Sequence, residues 1–365
     1  MPTIAEIFRR FSAEYLQLYG DKLLPSHRRA IRDIVACRTP ALGGHRAHCP
    51  SCGYEHHSYH SCNNRSCPTC NSQVTERWRR RQLDDLLDVP YFHLVFTVPH
   101  ELQEPIRSNQ KKLYGLLMRC ATSALQKLAA DPRYIGGKIG ILCVLHTWTR
   151  GMGYHPHVHC LVPGGGLGPD RVWHESRRKF LVPVQALSII FRAKFMKGLA
   201  KVLPEESLPA VVWEKPWVVY SKPVIQGAEK VVGYLSRYIH RVAITNNRIL
   251  TIGNDRVTFR YKDSRDSLWK TMTLKPLEFI RRFLQHVPPP RFHKVRAFGL
   301  LAPGKRLLLR QIQLFVAPPK MDPDPEWTPN DSTVGEQQPP VICPRCGKNF
   351  LVVVTLLPDH ARSPP

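Results

Sequence analysis

Five cysteines within 22 residues are the feature that most restricts how this chain folds. Two Cys-x-x-Cys pairs, Cys49 with Cys52 and Cys67 with Cys70, stand on either side of the single residue Cys62. Two such pairs, brought together, supply four thiolates at the tetrahedral geometry of a structural Zn²⁺ ion. Clustered pairs of this kind in a reducing compartment are metal ligands rather than disulfides. The spacing therefore predicts a zinc-binding module.

Cys62 leaves the ligand set of this module open. It either replaces one of the four thiolates or joins His57 or His60 at a second ion. A closed site of four thiolates has no open position for chemistry, so we expect the ion to be structural. The module would then present a run of arginines to DNA phosphates. These are Arg65, Arg77, Arg79, Arg80 and Arg81.

The charge of the chain indicates a polyanionic partner. Lys and Arg number 53 against 28 acidic residues, which gives a formal net charge of +25. Such an excess repels itself unless a polyanion shares it, so nucleic acid is the favoured partner. The sequence has neither an apolar run of about 18 residues nor a secretory leader. We therefore expect no membrane segment and a cytoplasmic, nucleoid-associated protein.

The hydrophobic patterns predict an α+β fold with mainly antiparallel strands. In chain order the predicted elements are a strand at 91–99, a helix at 110–130, a hairpin of strands at 138–148 and 157–165, helices at 184–203 and 227–242, a hairpin of strands at 256–263 and 269–274, and a helix at 277–287.

A histidine pair in the segment HPHVHCLV indicates a divalent-metal site. His157 and His159 are two residues apart on a predicted strand, so both point to the same face. If residues 150–155 form the hairpin turn, position 148 pairs with 157, and His146 lies opposite His159. Three imidazoles on one face leave coordination positions open for water or substrate. His155 is the competing third ligand.

Two tyrosines at helical spacing form a second candidate feature. Tyr234 and Tyr238 are i, i+4 neighbours, with Cβ atoms about 5–6 Å apart. They either complete an apolar core stripe or serve as nucleophiles. Arg237 and Arg241 on the same helix favour the second interpretation, because these cations would offset a tyrosinate charge or hold a DNA phosphate. A metal, a phenol and a basic surface together suggest phosphoryl transfer on a polynucleotide.

These motifs resemble those of the HUH endonucleases, which include replication initiators, relaxases and transposases. The resemblance rests on His157-Val158-His159, on the Tyr-x3-Tyr spacing from Tyr234 to Tyr238, and on FTVP at 96–99. The chain is most similar to rolling-circle transposases of the insertion sequence ninety-one type, whose zinc-binding N-terminus resembles CPSCG...SCNNRSCPTC. The likeness covers about residues 10–315.

The resemblance implies a central antiparallel sheet, flanked by helices, that carries the metal ligands. It also implies nicking of single-stranded DNA at transposon ends and target, a 5′-phosphotyrosine intermediate, and Mg²⁺ or Mn²⁺ at His157 and His159. Tyr234 and Tyr238 would act in turn as nucleophiles. Family members often take a third ligand from the preceding strand, about where His146 lies. Two alternatives remain, a plasmid replication initiator or relaxase and a non-catalytic zinc-finger DNA-binding protein.

The predicted organisation has four parts. Residues 1–88 form N-terminal helices and the zinc-binding module, 89–317 the nuclease domain, 318–342 an acidic Pro-rich linker, and 343–365 a C-terminal Cys-x-x-Cys knuckle. Cys343 and Cys346 of this knuckle make only half a metal site, with His360 as one completion.

Overall fold

A computed structural model describes residues 2–70, 72–177, 179–224, 232–233, 243–263, 265–316, 343–347 and 352–357. The α-helices are α1 Ile4–Tyr19, α2 Pro25–Ala36, α3 Ser72–Asp84, α4 Gln103–Ser108, α5 Gln110–Ala129, α6 Val184–Val202, α7 Val211–Glu214, α8 Pro276–Leu284 and α9 Arg306–Val316. The strands are β1 Gly44–His48, β2 Glu55–Tyr59, β3 Tyr91–Thr97, β4 Gly140–Trp148, β5 Tyr154–Pro163, β6 Gly165–Leu167, β7 Trp173–Glu175, β8 Val219–Val224, β9 Ile249–Ile252, β10 Val257–Lys262, β11 Trp269–Leu274, β12 Val295–Gly299 and β13 Val352–Leu356.

The centre of the molecule is a five-stranded sheet in the order β12-β4-β5-β3-β8. Each neighbouring pair of its strands is antiparallel. Successive side chains of a strand point to opposite faces, so Val158, Cys160 and Val162 of β5 enter one core while the histidines point the other way. The predicted α+β architecture with a central antiparallel sheet and flanking helices is confirmed.

Helices α5 and α6 cover the apolar face of this sheet. Apolar residues of α5 recur at helical spacing, and Leu113, Leu117 and Leu125 are fully buried against the sheet. Removing a buried leucine of this kind to alanine costs about 2–5 kcal/mol. This packing makes the sheet a rigid support for whatever its opposite face carries.

A second core joins the N-terminal helices to the C-terminal half of the chain. It contains residues of α1, α2 and α8, with Phe8 and Phe283 in edge-to-face contact at 5.2 Å between ring centroids. Trp148 and Met152, at the tip of the β4–β5 hairpin, belong to the same core. The N-terminal region is therefore packed against the end of the hairpin that carries the histidines.

The C-terminal strand pairs with the N-terminal region. β13 lies beside β1 in a three-stranded sheet of order β13-β1-β2, and five residue pairs run from Gly44 with Leu356 to His48 with Val352. The knuckle predicted to be a separate unit at 343–365 thus contacts the module at the opposite end of the chain. None of the described helices is long and apolar enough to cross a membrane.

Candidate active site and cysteine clusters

Three histidines of β4 and β5 converge on the face of the central sheet that is not covered by α5 and α6. Candidate ligand nitrogens of His146, His157 and His159 all lie within 4.8 Å of one another. The ring centroid of His146 is 4.1 Å from that of His159 and 5.3 Å from that of His157. The structure thus brings together the three imidazoles that were predicted from the sequence.

The register that led to His146 is wrong by two residues. The expected pairing of His146 with His159 is replaced by a pairing with His157, while Val144 lies opposite His159. The cause is a turn that is shorter than expected, with Thr149 N–H donating to the carbonyl of Gly153, and an irregularity between positions 146 and 148. Because side chains alternate with a period of two, an error of two residues leaves His146 on the correct face.

Hydrogen bonds orient two of the three rings. The Nδ1–H group of His157 donates to the carbonyl oxygen of His155 at 2.7 Å, which leaves Nε2 as the nitrogen that could bind a metal. His93 of β3 stacks on His159, with 2.7 Å between His93 Nε2 and His159 Nδ1. Such partners commonly fix the tautomer and direction of metal-binding histidines. His155 itself contacts the amide nitrogen of Gln103 at 3.1 Å and lies outside the group of three.

Sequence reasoning missed His93. It stands in the predicted strand YFHLVFTVP, and alternation alone puts it on one of two faces. Its proximity to His159 arises because β3 lies next to β5, where His93 pairs with Leu161, two positions from His159. Predicting the contact between His93 and His159 requires the order of the strands in the sheet.

Burial keeps the histidines of this site neutral. It lowers the pKa of His157 and of His93 to about 4 and holds the pKa values of His146 and His159 well below their ordinary range. Neutral imidazole is the form that binds a metal ion. The side chains therefore need not release protons before they bind a cation near neutral pH.

A buried lysine lies on Trp148, next to His146. The ammonium group of Lys294 lies 5.5 Å from the centre of the Trp148 ring, and that ring stacks on His146 at 5.0 Å between centroids. Burial lowers the pKa of Lys294 to about 7. Its charge adds to the effect of burial in lowering the pKa of His146. The side chain of His157 is less buried than the side chains of His146 and His159.

The donor set fits a divalent cation. Three neutral nitrogen ligands on a rigid sheet fill half of an octahedral coordination shell and leave the rest open. Mg²⁺ and Mn²⁺ prefer oxygen ligands, which phosphate and water would supply at the open positions. This arrangement suits a site that orients a phosphate.

The cysteines form two separate clusters of four, each with all sulfur atoms within 4.8 Å of one another. The module cluster consists of Cys37, Cys62, Cys67 and Cys70. The terminal cluster consists of Cys49, Cys52, Cys343 and Cys346.

The predicted single site from Cys49, Cys52, Cys67 and Cys70 is therefore wrong. Cys49 and Cys52 lie in the turn at one end of the β1–β2 hairpin, whereas Cys62 follows its other end. Five-residue strands separate these ends by about 17 Å. Cys62 is a member of the module cluster, without His57 or His60.

Cys37 completes the module cluster and was not identified from the sequence. It is the residue that ends α2, and it lies 25 positions before Cys62 without a neighbouring cysteine that would mark it as a ligand. Contact between α2 and the turn after β2, through Arg38 N–H to the carbonyl of His60, brings it to the other thiols. Cys67 and Cys70 lie in the same core as Trp148, so the cluster supports the hairpin tip.

The arginines expected to contact DNA have different environments. Arg65 donates to the backbone carbonyls of Pro289 and Phe292, so this half-buried side chain holds a loop instead of facing solvent. Arg79 binds both carboxylate oxygens of Glu76, at 2.7 and 2.9 Å. The remaining arginines of α3 are exposed. They are Arg77, Arg80 and Arg81.

The tyrosine helix falls mostly outside the described residues. Tyr234, Tyr238, Arg237 and Arg241 are not among them, and neither is His360. Val232 and Gly233, from the predicted helix at 227–242, are helical.

Comparison with known proteins identifies the class: the chain is a transposase with an N-terminal zinc-binding domain. Residues 140–307 match the Y2 family model described as "Putative transposase", and residues 7–98 match the transposase zinc-binding domain of the IS91 type. The chain belongs to the IS91 family of transposases.

Two relatives carry this assignment. The "Putative transposase y4qJ" of Sinorhizobium fredii is 40% identical over 82% of this chain and 80% of its own length. The transposase for insertion sequence element IS801 of Pseudomonas savastanoi pv. phaseolicola is 30% identical over 74% of this chain and 69% of its own.

A solved structure, the origin-recognition/nickase domain of the non-structural protein 1 of human bocavirus, aligns with 64% of this chain and 98% of its own. The identity is 11% and the TM-score is 0.24. At that score the likeness supports no statement about this chain.

Proposed function

We propose that this transposase nicks and rejoins single-stranded DNA at transposon ends through a 5′-phosphotyrosine intermediate. The observation that carries the proposal is the convergence of His146, His157 and His159 within 4.8 Å on the face of the sheet opposite α5 and α6. A divalent ion bound there, Mg²⁺ or Mn²⁺, would polarise a non-bridging oxygen of the scissile phosphate. The net charge of +25 supports a polyanionic substrate.

The chain's own groups would perform the remaining steps. The phenolic oxygen of Tyr234 or Tyr238 attacks phosphorus and loses its proton to solvent, while the bond to the 3′ oxygen breaks. The products are a tyrosyl 5′-phosphate ester and a free 3′-hydroxyl. Attack by a 3′-hydroxyl on that ester reverses the step and rejoins DNA without a nucleotide cofactor. Two tyrosines would allow two strand ends to be held in turn.

The sheet would contribute through positioning. Contacts of His157 with the His155 carbonyl and of His159 with His93 hold the rings before any ion arrives. A site prepared in this way does not have to reorganise when the phosphate binds. Arg237 and Arg241, one residue before and three after Tyr238, would neutralise phosphate charge near the nucleophile.

The test is covalent capture of DNA. The full chain is incubated with Mn²⁺ and a labelled single-stranded element end, and we expect an adduct that survives SDS. Tyr234→Phe together with Tyr238→Phe should abolish it, while Tyr19→Phe, an exposed tyrosine on α1, serves as the matched control and should retain it. The two single variants report which phenol attacks first. An absent adduct in the wild type, or an undiminished one in the double variant, contradicts the proposal.

A further inference from the structure

Two of the four cysteines of the terminal cluster lie outside the residues that match the zinc-binding family model. We propose that Cys49, Cys52, Cys343 and Cys346 bind a second structural Zn²⁺ ion, which fastens the C-terminal segment to the N-terminal module. The family match ends at residue 98 and contains only the first two of these thiols. The other two lie 291 and 297 positions from their nearest partners across the cluster.

The distances between sulfur atoms match a tetrahedral metal site. Cys49 Sγ is 3.6 Å from Cys346 Sγ, and Cys52 Sγ is 3.7 Å from Cys343 Sγ. Four sulfurs at about 2.3 Å from a zinc ion are separated by about 3.8 Å along each edge of the tetrahedron. A disulfide requires about 2.05 Å, so these thiols are arranged as metal ligands and not as crosslinks.

The two halves of the cluster have closely similar sequences, which differ at one position of five, and the same turn geometry. Residues 49–53 read CPSCG and residues 343–347 read CPRCG. In each, the glycine N–H donates to the carbonyl of the first cysteine at 2.9 Å. Gly53 and Gly347 have φ of 69° and 73°, which a residue with a side chain rarely adopts. Two equivalent turns that each present a pair of thiols are what a four-thiolate zinc site requires.

Strand pairing brings these turns to one end of a sheet. Cys49 directly follows β1, and β13 begins six residues after Cys346. Because the strands are antiparallel, His48 at the end of β1 pairs with Val352 at the start of β13. The sheet and the thiol cluster therefore specify the same arrangement of the two chain ends.

The apolar side chains of β13 and the residue after it whose burial the structure describes contribute little packing. Val354 and Leu357 are 46% and 78% exposed, whereas Cys343 within the cluster is 1% exposed. Exposed apolar side chains gain little from burial, and ordering the segment against the module has an entropic cost. Metal binding, which contributes directly to folding free energy in small zinc modules, would supply the difference.

The first experiment counts metal ions in the full chain. Elemental analysis of the wild type should give two zinc ions per chain, and Cys343→Ser with Cys346→Ser should give one. Cys120→Ala, a buried thiol on α5 outside both clusters, is the matched control and should keep two. One zinc ion in the wild type, two in the double variant, or iron in place of zinc would each overturn the proposal.

The second experiment measures directly whether zinc holds the C-terminal segment on the N-terminal module. It changes no cysteine, so it does not depend on the folding of a cysteine variant. A protease site is placed near residue 330 of the full chain and cut after purification. With zinc present, we expect the C-terminal fragment to comigrate with the body in gel filtration, and a zinc chelator should release it. A fragment that separates before chelation, or that stays bound after all zinc has been removed, contradicts a metal fastening. Neither readout requires DNA cleavage, so failure here is distinct from failure of the proposed nuclease activity.

Discussion

The histidine site and the cysteine clusters are both sets of metal-ligating side chains, but they differ in number and in origin. The histidine site takes three imidazoles from two neighbouring strands, within 14 residues of sequence. Each cysteine cluster takes four thiols, and the terminal cluster draws them from opposite ends of the chain. Four thiolates close a coordination shell, whereas three imidazoles leave it open. From this difference we infer a structural role for the cysteine clusters and a chemical role for the histidine site.

The largest effect is expected from opening the module cluster. Cys67→Ser with Cys70→Ser removes half of the ligands of an ion whose binding contributes about 10–16 kcal/mol in isolated zinc-finger peptides. Because this cluster shares a core with α1, α8 and Trp148, we expect loss of zinc and of the cooperative thermal transition. Circular dichroism and metal analysis measure both. A variant that keeps its melting temperature would show that the cluster is not structural.

The next largest effect is expected on the rate of DNA nicking when two histidines of the central sheet are replaced. His157→Ala with His159→Ala should reduce DNA nicking at least about 10³-fold, which corresponds to about 4 kcal/mol in the barrier. Zinc content should stay at the wild-type value, because no cysteine is changed. Rates come from single-turnover cleavage of a labelled oligonucleotide. The distinction between the two kinds of site fails if this variant loses zinc or nicks at the wild-type rate.

A smaller effect is expected from the ring that supports His159. His93→Ala removes its 2.7 Å contact, and loss of such a partner typically weakens metal affinity by about 10–100-fold. The Mn²⁺ concentration that gives half-maximal nicking should rise accordingly, while the rate at saturating Mn²⁺ changes less. His93→Gln, which keeps a hydrogen-bonding group, should recover part of the affinity. His174→Gln, on β7, is the control, and an equal response from it would refute the assignment.

The smallest effects are expected from α3. Arg77→Ala and Arg81→Ala remove exposed cations, and each should weaken binding of single-stranded DNA by a few fold and lower the salt slope by about 1. Arg79→Ala should do less, because this guanidinium already binds Glu76. Fluorescence anisotropy across a salt series measures these changes. An equal loss of DNA affinity in all three variants would mean that Arg79 contacts DNA despite its ion pair with Glu76.

Local patterns were sufficient where the ligands come from adjacent strands. The alternation of HPHVHCLV placed His157 and His159 on one face, and hairpin pairing added His146 even though the register was wrong, because an error of two residues preserves the face. The module cluster was predicted only in part, since Cys62, Cys67 and Cys70 are close in sequence and Cys37 is not.

Contacts between segments that are far apart in the chain could not be predicted from the sequence. The matching CPSCG and CPRCG motifs are the one local signal that relates Cys343 and Cys346 to Cys49 and Cys52. Their contact depends on the pairing of β13 with β1, which the sequence does not indicate. Arg65 shows the same limit: its charge suggested a DNA contact, yet folding places carbonyls of the loop before β12 against it. Such assignments depend on which segments meet.

The most direct test of the division between open and closed sites is Mn²⁺ binding followed by electron paramagnetic resonance. The wild-type chain should bind one Mn²⁺ ion per chain, and His146→Ala with His159→Ala should abolish this binding while the zinc content of the same sample stays unchanged. Undiminished Mn²⁺ binding in that variant would contradict the account, since the ion would then be held by groups other than the imidazoles of the central sheet.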